Sequence, residues 1–308
     1  MRVVFMGTPE FAVPCLQKLI DCGHEVTGVF TQPDKPQGRK MILTPPPVKV
    51  LAVENGIKVY QPVKMRDGTA LEMLKEADPE LVIVVAYGKI LPKEILEYPR
   101  YGCINIHASL LPELRGAAPI QWSILNGCKK TGVTSMQMDE GLDTGDMLIK
   151  DELEIGINET AGELHDRLSV LGADVLEKTI DALQKGELKP EKQNHEEYTY
   201  AAMLSKELSP IDWTMTALQV HNKIRGLSPW PSANAKLGGK TVKIHKSVLA
   251  NEKGGKAGEI IVCDKRFVVC CGDMNCIEIL NIQAEGKKAM SAADFLRGNA
   301  VEKGAFFE

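Results

Sequence analysis

The chain has 308 residues, 44% of them hydrophobic and 25% charged, with a net charge of −4. That length and balance suit two domains or one large one, with enough apolar residues to bury a core without disulfide or metal staples. No stretch approaches the ~18 apolar residues of a helical membrane span, which excludes one. Residues 1–6 carry one positive charge and no apolar run of secretory length. The eight cysteines sit mostly within apolar runs and are read as reduced and buried. The expected compartment is therefore the cytoplasm, with no membrane partner; a monomeric chain is expected, on no signal in these residues.

In chain order, residues 3–6 (Val-Val-Phe-Met) form a short buried strand, and residues 9–22 after it read as a helix. A second strand is expected over 26–31, and a third over 81–86, whose unbroken apolar character suits a strand covered on both faces. Residues 103–107 and 131–138 complete the strand signals of this half. Residues 160–183 read as a long amphipathic helix, with Leu164, Leu168, Leu171, Val175, Ile180 and Leu183 on one stripe and a capping-box pair at Thr160 and Glu163. Strands alternating with helices predict a doubly wound, mostly parallel α/β sheet over residues 1–185. Residues 186–206 are polar and without period, and are expected to be a linker. After a helix over 214–225, short β-rich runs at 241–244, 259–262, 267–271 and 276–282 are punctuated by glycines. They predict a small antiparallel OB-like β-barrel over 207–308.

Charge is uneven. Residues 206–308 hold 15 basic against 11 acidic residues, a net +4, whereas residues 1–205 hold 22 against 30, a net −8. A polyanionic partner for the tail fits this split, and so does chance.

The most informative stretch runs from Asn105 and His107 through Ser109, Leu110, Leu111 and Pro112 to Arg115 and Gly116. On a strand, Cys103, Asn105 and His107 share one face, and polar side chains there are costly to bury without partners. A glycine-interrupted acidic loop, residues 139–146, also follows a strand and brings Asp143 as a possible partner for His107. An amide, an imidazole and a carboxylate together suit acyl-type chemistry: two donors for a developing oxyanion, and a carboxylate that sets the histidine's charge or accepts a proton. Spacing alone leaves open a satisfied buried histidine beside a solvated acidic turn.

The run Asn105-x-His107-x-Ser109-Leu110-Leu111-Pro112 with Arg115-Gly116 resembles the signature of the folate-dependent formyltransferases, and Gly141-Leu142-Asp143-x-Gly145 resembles that family's catalytic loop. Thr31-Gln32-Pro33-Asp34-Lys35-Pro36, Gly38-Arg39 and Pro47-Val48-Lys49 are similar to the tRNA-contacting insertion loop of one branch. Ile211-Asp212-Trp213, residues 222–226 and Ser228-Pro229-Trp230-Pro231 are similar to that branch's carboxyl-terminal domain. The resemblance covers nearly the whole chain. It implies formyl transfer from 10-formyltetrahydrofolate, a co-substrate, to the α-amino group of initiator methionyl-tRNA, without a metal. It implies Asn105, His107 and Asp143 as catalytic, Ser109, Leu110, Leu111 and Pro112 with Gly88, Ile90 and Leu91 at the folate, and Lys35, Arg39, Lys40 and Lys49 at the tRNA. The sequence departs from the branch at Lys40-Met41-Ile42, where more lysine is usual; residues 34–49 still carry a net +3.

Rival readings are weaker. Gly7 lacks the second and third glycines of a dinucleotide fingerprint. Cys103 reads as core rather than nucleophile, and Cys263, Cys270, Cys271 and Cys276 lack the Cys-x₂-Cys spacing of a zinc site. His165 reads as structural, and His221 as either packing or a phosphate contact. An amino-sugar formyltransferase and a non-catalytic RNA-binding protein are the alternatives in function.

Overall fold

The structure is a computed structural model that describes residues 1–38 and 41–308. Its first sheet strands are β1 (Arg2–Gly7), β2 (Glu25–Phe30), the paired β3 (Lys35–Gln37) and β4 (Ile42–Thr44), β5 (Val59–Tyr60), β6 (Leu81–Val85) and β7 (Cys103–His107). They are followed by β8 (Arg115–Gly116), β9 (Lys130–Gln137) and β10 (Met147–Glu154). Interleaved are α1 (Val13–Asp21), α2 (Pro47–Glu54), α3 (Thr69–Ala77), α4 (Lys93–Leu96), α5 (Pro119–Leu125) and α6 (Ala161–Lys185).

The chain divides into two compact units. The first comprises Met1–Gly116, Gly132–Leu153 and His165–Tyr200; the second comprises Ala117–Thr131, Glu154–Leu164 and Ala201–Glu308. The division is therefore not a single cut after residue 185. Most of the stretch expected as a linker, 186–206, belongs to the first unit. Its backbone pairs there, Met147 N–H with Glu191 O and Glu191 N–H with Met147 O, both at 2.8 Å. A polar composition reads as linker, but backbone groups pair without regard to side-chain polarity.

In the first unit a seven-stranded sheet runs in the order β10-β9-β7-β6-β1-β2-β5. β5, β2, β1, β6 and β7 pair in parallel, and β9 pairs antiparallel to β7. The apolar runs explain the layering. Val3 to Met6 and all of β6 are buried, as expected of strands covered on both faces. Cys103 packs on one face with Leu91, Ile95 and Leu96, while Ile106 on the other lies against Gly172 of α6. The strand order reverses around β1, so the carboxyl ends of β6 and β7 border the crevice where such sheets bind ligands. The helix expected over 9–22 begins late, a 3₁₀ turn at Glu10–Ala12 preceding α1.

In the second unit, Thr160 and Glu163 form the expected capping box: Thr160 N–H donates to Glu163 Oε2 (2.8 Å) and Glu163 N–H to Thr160 Oγ1 (3.2 Å). Beyond β11 (Tyr200–Ala201) come α7 (Ala217–Gly226), β12 (Ala233–Leu237), β13 (Lys240–Lys253), β14 (Ile260–Cys263), β15 (Phe267–Cys270), β16 (Asn275–Ala284), β17 (Met290–Ser291) and α8 (Ala292–Gly298). The antiparallel order is β12-β13-β16-β15-β14. The chain end bridges the two edges, Leu237 pairing with Phe307 and Glu259 with Phe306, which closes the sheet as a barrel. Trp213, Phe267, Phe295 and Phe307 fill it. His221 settles as packing: fully buried, its Nε2–H donates to Ile157 O (2.8 Å) and Nδ1 lies 2.9 Å from Ser247 Oγ. Burial holds its pKa below the usual histidine value. Among the described residues no helix is long and apolar enough to cross a membrane.

Candidate active site

Asn105 and His107 stand on the same face at the carboxyl end of β7, as the strand period requires. Asp143 comes from the loop after β9, and the loop's path leaves no freedom. A Cβ on Gly145 would lie 1.7 Å from Gln137 O. Asp143 itself adopts φ 53°, in the left-handed region that non-glycine residues enter only under constraint.

The three groups converge. Asn105 Nδ2 donates to Asp143 Oδ1 at 3.4 Å, and His107 Nδ1 lies 3.7 Å from the same oxygen. Asp143 Oδ2 accepts from Gly116 N–H at 2.8 Å. The side chains of His107 and Asp143 are 7% and 12% exposed. His107 Nε2 lies 3.0 Å from Leu114 O, and a carbonyl only accepts, so Nε2 carries a proton. The Nδ1 edge alone is left to face Asp143 and a reacting group. When Nδ1 is also protonated, the ring is a cation with a carboxylate beside it. An amide donor, an imidazole edge and a carboxylate at one point can stabilise an oxyanion and move a proton.

Of the expected folate residues, Ser109 and Leu111 face inward. Ser109 is fully buried with its hydroxyl donating to Glu113 O (2.6 Å), and Leu111 is 1% exposed. Leu110 and Pro112 are half-buried. Thr134 of β9 pins this run, donating to Ser109 O and accepting from Leu111 N–H. Gly88 follows β6 at φ 75°, its carbonyl accepting from Gln32 Nε2 at 3.3 Å. A Cβ there would lie 2.5 Å from that same nitrogen. Ile90 is 71% exposed and Leu91 4%. Ile90 borders two hollows, one of about 660 Å³ with Val63, Met65, Arg66 and Lys89, and one of about 300 Å³ with Arg66, Leu91 and Pro92. Volumes of this order hold a small molecule. Neither hollow is lined by Asn105, His107 or Asp143.

The expected tRNA residues divide. Lys35 is exposed, with Nζ 2.8 Å from Gln32 Oε1. Lys49 is engaged internally: Nζ lies 2.8 Å from both oxygens of Asp34 and 2.9 Å from Gln61 Oε1. Those hydrogen bonds from Lys49 and Gln61 hold the Asp34 carboxyl below its ordinary range. Arg39 and Lys40 lie outside the described residues.

Cys103 behaves as core, burial pushing its thiol up to about 12. Among the described residues no group of three metal-ligating side chains comes together. Sequence reasoning missed Gln193, buried at 5% exposure and bonded to the Asp143 loop. Nothing in its polar, aperiodic surroundings distinguishes it. The carbonyl of Leu114 and the N–H of Gly116 were also invisible, since backbone groups carry no residue signature.

Residues 1–180 match the formyl transferase family and residues 203–300 the formyl transferase C-terminal domain. A methionyl-tRNA formyltransferase of Alkaliphilus oremlandii is 52% identical over 305 residues, covering 99% of this chain and 98% of its own. That of Clostridioides difficile is 50% identical, covering 99% of each. Among solved structures, WlaRD, a sugar 3N-formyl transferase crystallised with dTDP and 5-N-formyl-THF, superposes with TM-score 0.71 at 22% identity over 94% of this chain and 99% of that one. HypX of Aquifex aeolicus in complex with tetrahydrofolic acid gives TM-score 0.64 at 18% identity over 96% of this chain and 47% of that one.

Proposed function

This chain belongs to the formyl transferase family, and we propose that it transfers a formyl group from 10-formyltetrahydrofolate to the α-amino group of initiator methionyl-tRNA, as a cytoplasmic monomer. The observation that carries the chemistry is the meeting of Asn105, His107 and Asp143 at one strand end. An α-amino group has a reference pKa near 8, so an appreciable fraction is neutral and nucleophilic at cellular pH. When it adds to the formyl carbon, the carbonyl oxygen becomes an oxyanion. Asn105 Nδ2 and a protonated His107 Nδ1 donate to that oxygen. Asp143 offsets the imidazolium charge and takes up the amine's proton, directly or through water; as the oxyanion collapses, the bond between the formyl carbon and the folate's anilino nitrogen breaks, and that nitrogen leaves with the proton Asp143 had taken. His107 cannot use Nε2 for this, because Leu114 O holds it.

For the folate, the fit rests on the two hollows meeting at exposed Ile90, where the backbone of Gly88, Ile90 and Leu91 would take the pterin and Leu110 and Pro112 would line the approach. Ser109 and Leu111 would shape that wall from within. Lys35, with Arg39 and Lys40, would meet acceptor phosphates, while Lys49 would hold the base of their segment through Asp34. The tRNA acceptor is favoured over an amino sugar because relatives at about half identity along the whole chain carry the tRNA-directed name. Cys15, Cys103, Cys270, Cys271 and Cys276 are buried as thiols, which suits a reducing compartment. Formyl acceptance should be compared across methionyl-tRNA, glycinamide ribonucleotide and an amino-sugar nucleotide. Incorporation into charged tRNA alone is expected; transfer to the sugar nucleotide with none to tRNA overturns the reading.

A further inference from the structure

Gln193 uses its whole amide on the surroundings of Asp143. Nε2 donates to Asp143 O and to Gly145 O, each at 2.8 Å, and Oε1 accepts from Arg115 Nε at 2.9 Å. The first two bonds hold the main chain of the loop on either side of its tightest point, where Asp143 keeps its left-handed φ and Gly145 has no room for a Cβ. The third reaches the opposite wall. Arg115 is 5% exposed, lies over the Tyr198 ring with 5.1 Å to its centroid, and comes within 3.4 Å of His195 Nδ1. Its neighbour Gly116 supplies the N–H that fixes Asp143 Oδ2. One side chain therefore ties both walls that hold the carboxylate. Without it the two loop carbonyls would lose their donor, and a carbonyl left unpaired near the core favours rearrangement.

We infer that Gln193 is a positioning residue for the Asp143 carboxylate, acting through the loop backbone and Arg115 without touching substrate. The inference rests on the catalytic reading of Asp143. It makes the stretch after α6 part of the active-site framework. A residue that only stabilised the fold would lower the melting temperature, and its effect on turnover would not depend on Asp143.

The test measures kcat, KM for formyl-folate and for charged tRNA, and Tm in Gln193→Met, Asp143→Ala and the double variant. Gln193→Met should lower kcat by about 10–10²-fold with both KM values little changed, because misplacing a reacting group by a fraction of an ångström acts on the chemical step. The double variant should turn over no more slowly than Asp143→Ala alone, since residues acting as one unit do not add. Independent, multiplying losses in the double variant overturn the inference, as does normal kcat in Gln193→Met beside a slow Asp143→Ala. Normal turnover in Asp143→Ala removes the catalytic reading and the inference with it. If Gln193→Met does not fold, Gln193→Glu carries the same comparison, keeping the oxygen that accepts from Arg115 while lacking the two N–H groups.

Discussion

Asp143 is 12% exposed and its loop is bonded from Asn105, Gly116 and Gln193, whereas in the segment 31–49 Met41, Ile42 and Leu43 stand 67%, 61% and 64% exposed and Lys35 faces solvent. Both regions follow strand ends of the same sheet, and both carry charge. In the first, both carboxylate oxygens of Asp143 and the carbonyls of Asp143 and Gly145 have protein partners, and Asp143 is held in a left-handed conformation it would not choose. In the second, the base is tied by Asp34, Lys49 and Gln61, and Lys35, Pro36, Ile42 and Leu43 beyond it are exposed. Preorganised donors aimed at a developing charge need no rearrangement during reaction. A surface that meets a large polyanion needs reach and charge instead. Substitutions around Asp143 should therefore act on kcat, and substitutions in 31–49 on KM for the acceptor.

The largest effects belong to the first region. Asp143→Ala should lower turnover by about 10²–10⁴-fold, the range for losing an acid–base group, and His107→Ala by about 10²–10³-fold, the range for losing an oxyanion donor. Circular dichroism should report an intact fold in each. Near-normal turnover in either removes that residue from the chemistry. Next comes Gly145→Ala. The new Cβ would meet Gln137 O at 1.7 Å, a backbone atom that cannot swing aside. The loop must move, and displacing its carboxylate by about an ångström should cost on the order of 10²-fold in kcat. Full activity there would show that the loop tolerates displacement, and the contrast between the two regions would weaken.

Much of this was readable from residues. The parallel strands, the capping box of α6 and the pairing of Asn105 with His107 followed from apolar runs, spacing and period, because each depends on neighbours close in the chain. The glycines flanking Asp143 marked a tight loop for the same reason. Gln193 and Leu114 O could not be read, since their value depends on chain segments that meet only in three dimensions. Lys49 stands at the tRNA by resemblance alone, and its pairing with Asp34, fifteen positions away, carries no signature in composition or spacing.

That ion pair yields the third prediction. Lys49→Met removes the cation at the base of the segment and leaves Asp34 with Gln61 alone. A partly exposed pair contributes little, so KM for charged tRNA should rise by no more than about fivefold, with kcat and folate KM unchanged. Asp34→Asn should match it, because both lose the same ion pair. A rise for Lys49→Met much larger than for Asp34→Asn would show that Lys49 meets the acceptor directly, and would move it back among the phosphate contacts.

The smallest effect is expected at Lys35, and it is the one that tests how the segment recognises its partner. Lys35 is exposed and, among the described residues, bonded to the neutral Gln32 Oε1, so replacing it leaves no buried charge stranded. If its ammonium sits against one acceptor phosphate, Lys35→Ala should raise KM for tRNA slightly at low salt. It should also reduce the magnitude of the slope of log affinity against log salt by about 0.7–0.9, the contribution of one phosphate contact. The slope is the sharper measurement, because a structural change would shift affinity at all salt concentrations together and leave the slope alone. An unchanged slope would remove Lys35 from the phosphate contacts of this segment.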